Sequence, residues 1–302
     1  MIKRKIYLFY LKQIKGRFDL NRKRVIPSSI KLDVLIPAAE KDLEVLTYAI
    51  DGVRENIKHP LNEIIIIAPD SEKIKALCAA KQCRFVNEDS VLPITKKEVG
   101  CFMNGIDRSG WLFQQLLKLS GDTICSRDYY LALDADTILL RPQVFIHRQK
   151  IIFNCRKPYL KPYFRMYERL LGQKPTSPVS FVNHHMLFEK DKARKLKEAI
   201  EKETGLKWYD AVIKQSGGED VKFSEYETYG NFTIANYPKQ VAVHYAFNAD
   251  LPRGELQKID KLKKTLPRNF KSVSFHYSER RQQLNRFPVR RDGLTHALFP
   301  RK

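Results

Sequence analysis

The sequence predicts an α/β protein with a Rossmann-like, open, mixed but mostly parallel sheet flanked by helices. Short apolar strands alternate with helical patterns from residue 32 onward, and this order is typical of a parallel sheet. A further apolar run at residues 129–133 ends in two carboxylates, Asp134 and Asp136. Ligands of open α/β sheets bind where strands end in this way, so the sequence also indicates where a site lies.

The first half of the chain gives the clearest elements. The predicted elements there are strands at 33–37, 63–68 and 83–86 and helices at 42–57, 71–81 and 110–119. The carboxyl ends of parallel strands meet at one edge of the sheet, so residues directly after these strands are ligand-binding candidates. These residues are Pro37, Ala38, Glu40 and Asp70.

The pattern after the two aspartates is less regular. The predicted elements are strands at 179–189, 241–245 and 272–276 and helices at 191–203, 208–214, 223–229, 255–266 and 277–284. The length of 302 residues fits one large domain with appendages. No apolar stretch is long enough for a membrane-spanning helix, and the N-terminus has no secretory signal.

The net charge of +21 is concentrated at the two ends of the chain. Residues 1–31 contain ten basic residues and one acidic residue, whereas residues 251–302 contain fourteen and four. The body between them, residues 32–250, has a net charge of only +2. Basic ends of this kind bind nucleic acid or an anionic membrane surface, or remain solvated without a partner.

The N-terminal residues favour the membrane among these alternatives. Residues 2–17 mix Lys and Arg with bulky apolar and aromatic side chains, as interfacial segments do, and no nucleic-acid-binding signature is present. The five cysteines lack CxxC spacing, which argues against a disulfide framework or a zinc site and favours a reducing compartment. We therefore expect a cytoplasmic protein, peripheral at the inner face of the cytoplasmic membrane, with nucleic acid an unlikely partner.

Asp134 and Asp136 themselves indicate a cation. Two like charges at the end of a buried strand are costly to bury without a counter-ion. Mg²⁺ typically takes one or two carboxylates and completes its shell with water and phosphate oxygens. The pair therefore predicts a place where a divalent metal meets a phosphate-bearing ligand.

Asp134-Ala135-Asp136 resembles the DxD motif of GT-A-fold glycosyltransferases, which use nucleotide-diphospho-sugar donors and a divalent metal. The resemblance extends over four blocks, in order along the chain, and covers roughly residues 32–285. The blocks are Gly110-Trp-x-x-Gln-Gln-x-x-Lys-Leu, Tyr130-x-x-Leu-Asp-Ala-Asp-Thr-Ile-x-x-Arg-Pro, Val182-x-His-His-Met-Leu-Phe and Ser224-Glu-Tyr-Glu-x-Tyr-Gly-Asn. Together they resemble a family of bacterial glycosyltransferases known mainly as a domain of unknown function.

The resemblance implies a division of labour along the chain. A basic amphipathic segment (1–31) would precede a GT-A domain (32–285), and a basic tail (286–302) would follow it. Within the domain, residues 32–150 would bind the nucleotide and residues 151–285 the acceptor. The implied donor is a nucleotide-diphospho-sugar, with a UDP-sugar favoured, and the acceptor is a cell-envelope glycan or a lipid-linked molecule.

The resemblance also implies a set of metal ligands. Asp136 would bind Mn²⁺ or Mg²⁺ directly, and Asp134 would bind it through water or would hold the ribose. GT-A enzymes often add a histidine from a late strand, for which His276 is the first candidate and His244 the second. The metal would stabilise the charge that develops on the leaving diphosphate.

The remaining candidates concern the donor and the acceptor. The donor or nucleotide candidates beyond the strand ends are Trp111, Gln114, Gln115, Lys118, Asp134, Ala135, His184 and His185. An inverting transfer needs a general base near the acceptor hydroxyl, and the candidates are Glu225, Glu227 and Asp220. A retaining transfer would not need this base. Alternatively, the two glutamates mark the solvated acidic start of a helix.

Three other functions fit parts of the sequence. A haloacid-dehalogenase-type phosphatase also has a strand ending in Asp-x-Asp, but Ile138 occupies the position where that family has Thr or Val. A nucleic-acid- or membrane-binding basic protein would account for the basic charge but not for the aspartate pair. An inactive scaffold with the same fold is the third. The function that we predict is a metal-dependent glycosyltransferase.

Overall fold

The computed structural model describes residues 2–15, 26–103, 105–216 and 222–276. The strands are β1 (Leu32–Pro37), β2 (Leu61–Ala68), β3 (Arg84–Asn87), β4 (Phe102–Met103), β5 (Ile106–Asp107), β6 (Tyr129–Leu133), β7 (Thr137–Leu139), β8 (Ile146–His147), β9 (Lys150–Cys155), β10 (Lys157–Pro158), β11 (Val179–Ser180), β12 (His185–Glu189), β13 (Val241–Tyr245), β14 (Asn248–Pro252) and β15 (Ser272–His276). The α-helices are α1 (Ile2–Phe9), α2 (Leu43–Asn56), α3 (Glu72–Ala80), α4 (Lys96–Val99), α5 (Ser109–Leu119), α6 (Gly121–Ile124), α7 (Lys161–Leu171), α8 (Lys190–Thr204), α9 (Trp208–Gln215), α10 (Glu225–Asn236) and α11 (Ile259–Thr265).

The central sheet has five strands in the order β12-β6-β1-β2-β3. The pairs β6·β1, β1·β2 and β2·β3 are parallel, while β12 pairs with β6 in the antiparallel direction. Strand β1 is buried along its whole length, as expected for an apolar strand in the interior of a parallel sheet. The predicted α/β class, with a mostly parallel sheet flanked by helices, is confirmed.

Strand β12 brings the second half of the chain into this sheet. Because it runs antiparallel to β6, its first residue, His185, pairs with Leu133, the last residue before the aspartates. The start of β12 therefore meets the carboxyl end of β6 at the same edge. The predicted division near residue 150 is not a division between sheets, since residues on both sides of it form the central one.

Two three-stranded sheets complete this edge. One has the order β13-β9-β8, and the other has the order β14-β15-β7. Strand β7 begins immediately after Asp136 and pairs antiparallel with β15, which ends at His276. This pairing places the last described strand beside the aspartate turn.

A close approach between α2 and β7 fixes the second strand of that turn. A Cβ atom on Gly52 would lie 2.8 Å from the backbone oxygen of Leu139, so only glycine allows this contact. The Asn56 side chain donates a hydrogen bond to the same oxygen over 2.9 Å. Helix α2 therefore packs directly on the backbone of β7.

Several element boundaries differ from the sequence prediction. The predicted strand 179–189 is broken into β11 and β12, and the predicted helix 223–229 extends to Asn236 as α10. The predicted helix 255–266 begins as a 3-10 helix, Arg253–Lys258, before α11. Strand β9 and helix α7 were not predicted. The predicted helix 277–284 and the tail 286–302 lie outside the described residues.

The N-terminal segment packs on the second half of the domain. Helix α1 continues as a π-helix, Tyr10–Ile14, and Leu11 is buried. The Arg4 guanidinium lies 3.9 Å from the Tyr159 ring centroid, and Lys15 Nζ donates to the Val243 oxygen over 2.8 Å. In the part of the chain that the structure describes, no helix is both long and apolar enough to cross a membrane.

Candidate active site

Asp134 and Asp136 form a tight turn between β6 and β7. The Asp134 amide donates to the His184 oxygen over 2.9 Å, and the Thr137 amide donates to the Asp134 oxygen over 3.0 Å. The Phe275 amide in turn donates to the Asp136 oxygen over 2.8 Å. Backbone bonds from β15 and from the residue before β12 therefore hold the turn from two sides.

The Asp134 carboxylate is held by three side chains. Lys118 Nζ lies 2.8 Å from Oδ1, the Tyr226 hydroxyl donates to Oδ1 over 3.3 Å, and His184 Nδ1 lies 3.3 Å from Oδ2. Burial alone would raise the pKa of Asp134, but Lys118 and His184 hold it well below its usual range. Asp134 is therefore a charged carboxylate with a fixed orientation.

Lys118 also forms a buried ion pair with Glu225, which begins α10. Its Nζ lies 2.6 Å from Glu225 Oε1, and the Glu225 side chain is fully buried. Burial opposes the charge on Lys118, yet Asp134 and Glu225 raise the pKa of its ammonium. Burial raises the pKa of Glu225 to about 7 although Lys118 acts in the opposite direction. The lysine thus connects α10 to the aspartate turn.

Asp136 faces different partners. His276 Nδ1 lies 3.2 Å from Asp136 Oδ2, and Thr137 Oγ1 donates to Oδ1 over 3.3 Å. Hydrogen bonds with Asp136 and Asp250 raise the pKa of His276 to about 9. About half of the His276 side chain is exposed, whereas the Asp134 and Asp136 side chains are 28% and 22% exposed.

A third carboxylate, Asp250 of β14, joins the two histidines. Its Oδ1 lies 3.1 Å from His184 Nε2 and 3.3 Å from His276 Nε2. Arg156 forms an ion pair with Asp250 and also contacts His184 Nε2 over 2.8 Å. Burial would raise the pKa of Asp250, but its bonds with these partners hold it far below its usual range.

The donor atoms are suited to a divalent cation. One atom each from Asp134, Asp136 and His184 lie within 4.8 Å of one another, and so do atoms of His184, Asp250 and His276. Carboxylate oxygens with one imidazole nitrogen are ligands for Mn²⁺ and also for Mg²⁺ with water. The residues present therefore fit the metal that the resemblance implies.

The two other predicted histidines, His185 and His244, line a crevice. His185 follows His184 on β12, and the Asn154 amide donates to its Nε2 over 3.3 Å. Burial lowers the pKa of His185 to about 4, so the ring is neutral. His244 on β13 lines the same crevice as His185 and is buried. His276, the first candidate for the third metal ligand, contacts Asp136 of the aspartate turn, and the second candidate, His244, lines the crevice.

The Glu227 carboxylate is hydrogen-bonded within the protein interior. It is fully buried, and it accepts hydrogen bonds from the Ser180 hydroxyl, the Phe181 amide over 3.2 Å and the Asn231 amide over 2.8 Å. Burial raises its pKa to about 7. A base must reach the acceptor hydroxyl, whereas these bonds direct Glu227 to β11. Asp220, the third predicted base, lies outside the described residues.

The predicted donor-binding residues after β1 and β2 form their own contacts. Pro37 ends β1, and the amide of the buried Ala38 donates to the Ile67 oxygen over 2.8 Å. Glu40 accepts a hydrogen bond from the Ser71 hydroxyl over 2.6 Å, and Asp70 forms an ion pair with Lys75. The hydrogen bond between the Ser71 and Glu40 side chains therefore joins the two loops that follow these strands.

Helix α5 provides the other predicted donor-binding residues. Trp111 is half-buried and packs against the hydrophobic core, whereas Gln114 is partly exposed. Gln115 is buried and donates to the Trp111 oxygen over 3.3 Å. Ala135 is buried in the aspartate turn. Within α5, Lys118 is the predicted residue that the structure brings to the aspartates.

Sequence reasoning missed Asp250, Arg156 and Tyr226. Arg156 follows the apolar run Ile151–Phe153 of β9, which is a strand signal that could have been found. Tyr226 lies inside the Ser-Glu-Tyr-Glu block, where the glutamates are the more obvious candidates. Asp250 has no local signal, because its role depends on β14 pairing with β15.

Comparison with known proteins gives one family and several distant structures. The model of a family described as "Family of unknown function (DUF6492)" matches residues 42–262. No curated protein matches the sequence. The galactosyltransferase LgtC, solved in complex with donor and acceptor sugar analogs, is 15% identical with a TM-score of 0.41, and the match covers 82% of this chain and 87% of that chain.

Two further solved structures show a similar degree of likeness. An active-site mutant of LgtC is 14% identical with a TM-score of 0.43, over 82% of this chain and 88% of that chain. Mouse xyloside xylosyltransferase 1, in its apo form, is 11% identical with a TM-score of 0.43. The match covers 81% of this chain and 97% of that chain.

Proposed function

The chain belongs to the DUF6492 family, whose function is unknown, and we propose that it is a metal-dependent GT-A glycosyltransferase. It moves a sugar from a nucleotide-diphospho-sugar, with a UDP-sugar favoured, to a cell-envelope glycan or lipid-linked acceptor. The observation that supports this most is the convergence of Asp134, Asp136, His184 and His276 at the carboxyl edge of the central sheet. Open α/β sheets bind their ligands at this edge.

The two aspartates have different roles in this proposal. Asp136 contacts His276 over 3.2 Å and binds Mn²⁺ or Mg²⁺ directly. Asp134 is already held by Lys118, Tyr226 and His184, so it binds the metal through water or holds the ribose. The bound metal supplies a Lewis acid for the leaving diphosphate.

His184 and Asp250 complete the site as positioning residues. His184 contacts Asp134 through Nδ1 and Asp250 through Nε2, so its ring spans the two carboxylates. Arg156 neutralises Asp250 and thereby leaves the charge of the aspartate pair for the metal.

Lys118 and Glu225 hold the Asp134 carboxylate in place. Glu225 is fully buried and its ion pair with Lys118 fixes the ammonium that holds Asp134. We assign Glu225 to this positioning role rather than to the general base, because a base must touch the acceptor hydroxyl. Glu227, bonded to Ser180, is assigned to the packing of α10 against β11.

The nucleotide half of the proposal concerns the loops after β1 and β2. Residues 37–40 and Asp70 lie at the carboxyl ends of these strands and are joined through the bond between Ser71 and Glu40. Nucleotides bind at such strand ends in open α/β sheets. We propose that these loops bind the base and ribose, with Gln114 of α5 as a further contact.

The N-terminal segment supports a location at an anionic membrane surface. Ile6, Phe9, Tyr10 and Ile14 occupy positions i, i+3, i+4 and i+8, and they are 61%, 61%, 45% and 48% exposed. Lys3 and Lys5 on α1 are exposed as well. An apolar stripe flanked by basic residues is typical of helices that lie in the membrane interface. The protein would then act at the inner face of the cytoplasmic membrane.

The segment also supports the acceptor assignment. It contacts Tyr159, directly after β10, and Val243 of β13, which belong to the proposed acceptor half. A membrane bound by the stripe would therefore lie against that half, where a lipid-linked acceptor would arrive. An acceptor in solution would not need this arrangement.

Thermal shift with nucleotide sugars tests the donor assignment. A ligand that binds only the folded state raises the melting temperature. We expect a panel of UDP-, GDP- and dTDP-sugars to raise it in the presence of Mn²⁺ and much less in the presence of EDTA. A panel without effect under both conditions would contradict the proposal.

A further inference from the structure

A narrow crevice lies beneath the metal cluster, among residues of the two three-stranded sheets. It is small, with a cavity volume of about 20 Å³, and its mouth is open to solvent. Its polar lining residues are Gln143, Asn154, His185, His244, Lys271 and Ser272. Tyr245 and Phe247 supply aromatic walls.

Two buried hydrogen-bond donors in this crevice have no partner among the described residues. The Asn154 amide nitrogen donates to His185 Nε2, so the proton of the neutral ring is on Nδ1. That Nδ1 and the amide nitrogen Nε2 of Gln143 are both buried without a partner. Buried polar groups in folded proteins are nearly always bonded, so each of these atoms indicates a missing acceptor.

The character of the missing group follows from the lining. Both atoms without a partner are donors, so the ligand must offer acceptor oxygens. None of the described residues that line the crevice is acidic, and Lys271 adds a positive charge. A small oxyanion satisfies these conditions better than a cation or an apolar group.

The crevice is connected to the metal cluster by hydrogen bonds. The Ser272 hydroxyl donates to Asn248 Oδ1 over 2.6 Å, and Asn248 Nδ2 donates to Asp250 Oδ1 over 3.0 Å. Asn154 also lies two residues before Arg156, which forms the ion pair with Asp250. A group bound here would therefore lie close to the reacting centre.

We propose that this crevice binds an oxyanion, a phosphate or a carboxylate, that is part of the acceptor. The oxyanion accepts hydrogen bonds from His185 Nδ1 and Gln143 Nε2 and lies near Lys271. The assignment to the acceptor rests on the proposed function, whereas the oxyanion site itself does not. An acceptor with a phosphate would be lipid-linked, and one with a carboxylate would be an acidic glycan.

Binding of inorganic phosphate and of acetate to the full chain tests the site. Titrations are compared with chloride at equal ionic strength, and the melting temperature and the ¹⁵N signals of the histidine rings are followed. We expect saturable binding of one probe with a shift of the His185 Nδ1 signal. Binding of phosphate alone would indicate a phosphate-bearing acceptor, and binding of acetate alone an acidic glycan. A wild-type protein that binds neither probe overturns the proposal.

Two variants and a control locate the binding. Gln143→Met removes the unbonded donor at similar size, and Gln143→Glu replaces it with a negative charge. We expect affinity for the bound probe to fall about tenfold or more in both, since a hydrogen bond to a charged group is lost. Gln257→Glu makes the same charge change at an exposed position and should bind as the wild type does.

The Gln143 variants also distinguish the crevice from an anion site elsewhere on the protein. Equal affinity in the wild type and both Gln143 variants would mean that the anion binds outside the crevice, and would overturn the proposal. A crystal structure in phosphate and acetate with only water in the crevice would overturn it as well. These measurements involve no sugar transfer, so their failure would leave the proposed function standing.

Discussion

His276 Nδ1 lies 3.2 Å from Asp136 Oδ2, although the two residues are 140 positions apart in the chain. The antiparallel pairing of β15 with β7 brings them together, because β7 begins directly after the aspartate turn. The backbone bond from the Phe275 amide to the Asp136 oxygen fixes the same contact. The pairing of one late strand therefore completes the candidate metal site.

Removal of Lys118 should destabilise the fold more than removal of an exposed lysine. In Lys118→Met, the buried carboxylates of Asp134 and Glu225 lose their shared counter-ion, and we expect a loss of about 3–5 kcal/mol. The control is Lys81→Met, which breaks a partly exposed ion pair with Asp51 and should cost about 1 kcal/mol or less. Urea unfolding gives both values. A similar loss of unfolding free energy in the two variants would mean that Lys118 is not a buried counter-ion.

The role of Glu225 can be separated from that of a general base. In Glu225→Gln the amide oxygen takes the place of Oε1, 2.6 Å from Lys118 Nζ, so we expect the rate of the chemical step to fall by less than about tenfold. Loss of a true general base typically costs about 10²- to 10⁴-fold. The measurement is single-turnover transfer with metal and donor saturating. A loss within that larger range, at unchanged stability, would assign Glu225 to proton transfer instead.

Gly52→Ala tests the contact between α2 and β7. The new Cβ would lie 2.8 Å from the Leu139 oxygen, which is backbone and cannot rotate away. We expect a destabilisation of about 1–3 kcal/mol, as for other overpacked sites. Gly110→Ala is the matched control, since its Cβ would meet only the flexible Lys96 side chain at 3.4 Å. Thermal melts of the two variants should differ clearly, and equal melting temperatures would count against the contact.

His59 should make stability depend on pH. Its Nε2 accepts a bond from the Phe145 amide over 2.9 Å, and its Nδ1 lies 3.1 Å from the Ile30 oxygen, so the ring is neutral. Burial lowers its pKa below that of the unfolded chain, near 6.5. The unfolded state therefore binds the proton first, and stability falls as the pH drops below about 6.5, by at most about 1.4 kcal/mol per pH unit.

The His59→Gln variant isolates this contribution. It removes the titrating ring, so the slope of unfolding free energy between about pH 5 and pH 6.5 should be smaller than in the wild type. Urea unfolding at several pH values gives the slopes. Identical slopes would mean that His59 titrates alike in the folded and unfolded states.

The exposed stripe of the N-terminal segment should govern membrane binding. Phe9→Ser combined with Ile14→Ser removes two apolar side chains from the face that we assign to the bilayer. Sedimentation with vesicles containing phosphatidylserine should then show much weaker binding, while the fold is unchanged. Phe102→Ser is the control, because Phe102 is 58% exposed on another part of the chain. If both variants lost vesicle binding to the same extent, the face with Phe9 and Ile14 would not be the membrane-binding face.

Local pattern explains which parts of the structure could be predicted. The buried strands β1, β2 and β6 are apolar runs, and the two aspartates directly follow β6. The sequence therefore predicts both these strands and the aspartate motif. Asp250 and Arg156 were not, because they meet His184 only through the pairing of β14 with β15 and the position of β9. Such long-range contacts leave no periodic signal in a single sequence.

The two glutamates of α10 show a second limit. Carboxylates in the first turn of a helix usually indicate an exposed start, since they complement its dipole. Here Glu225 and Glu227 are fully buried, and their compensation comes from Lys118 of α5 and from Ser180 of β11. Burial of a charge depends on a partner that only the tertiary structure supplies.

The release of nucleotide diphosphate from nucleotide sugars, with and without Mn²⁺, measures metal-dependent sugar transfer by the aspartate pair. Wild type and Asp136→Asn are compared, because this change keeps the shape of the side chain and removes the charge that holds the metal. We expect Mn²⁺-dependent turnover in the wild type and a loss of at least about a hundredfold in the variant. Turnover that is unchanged in Asp136→Asn and unaffected by EDTA would contradict this expectation.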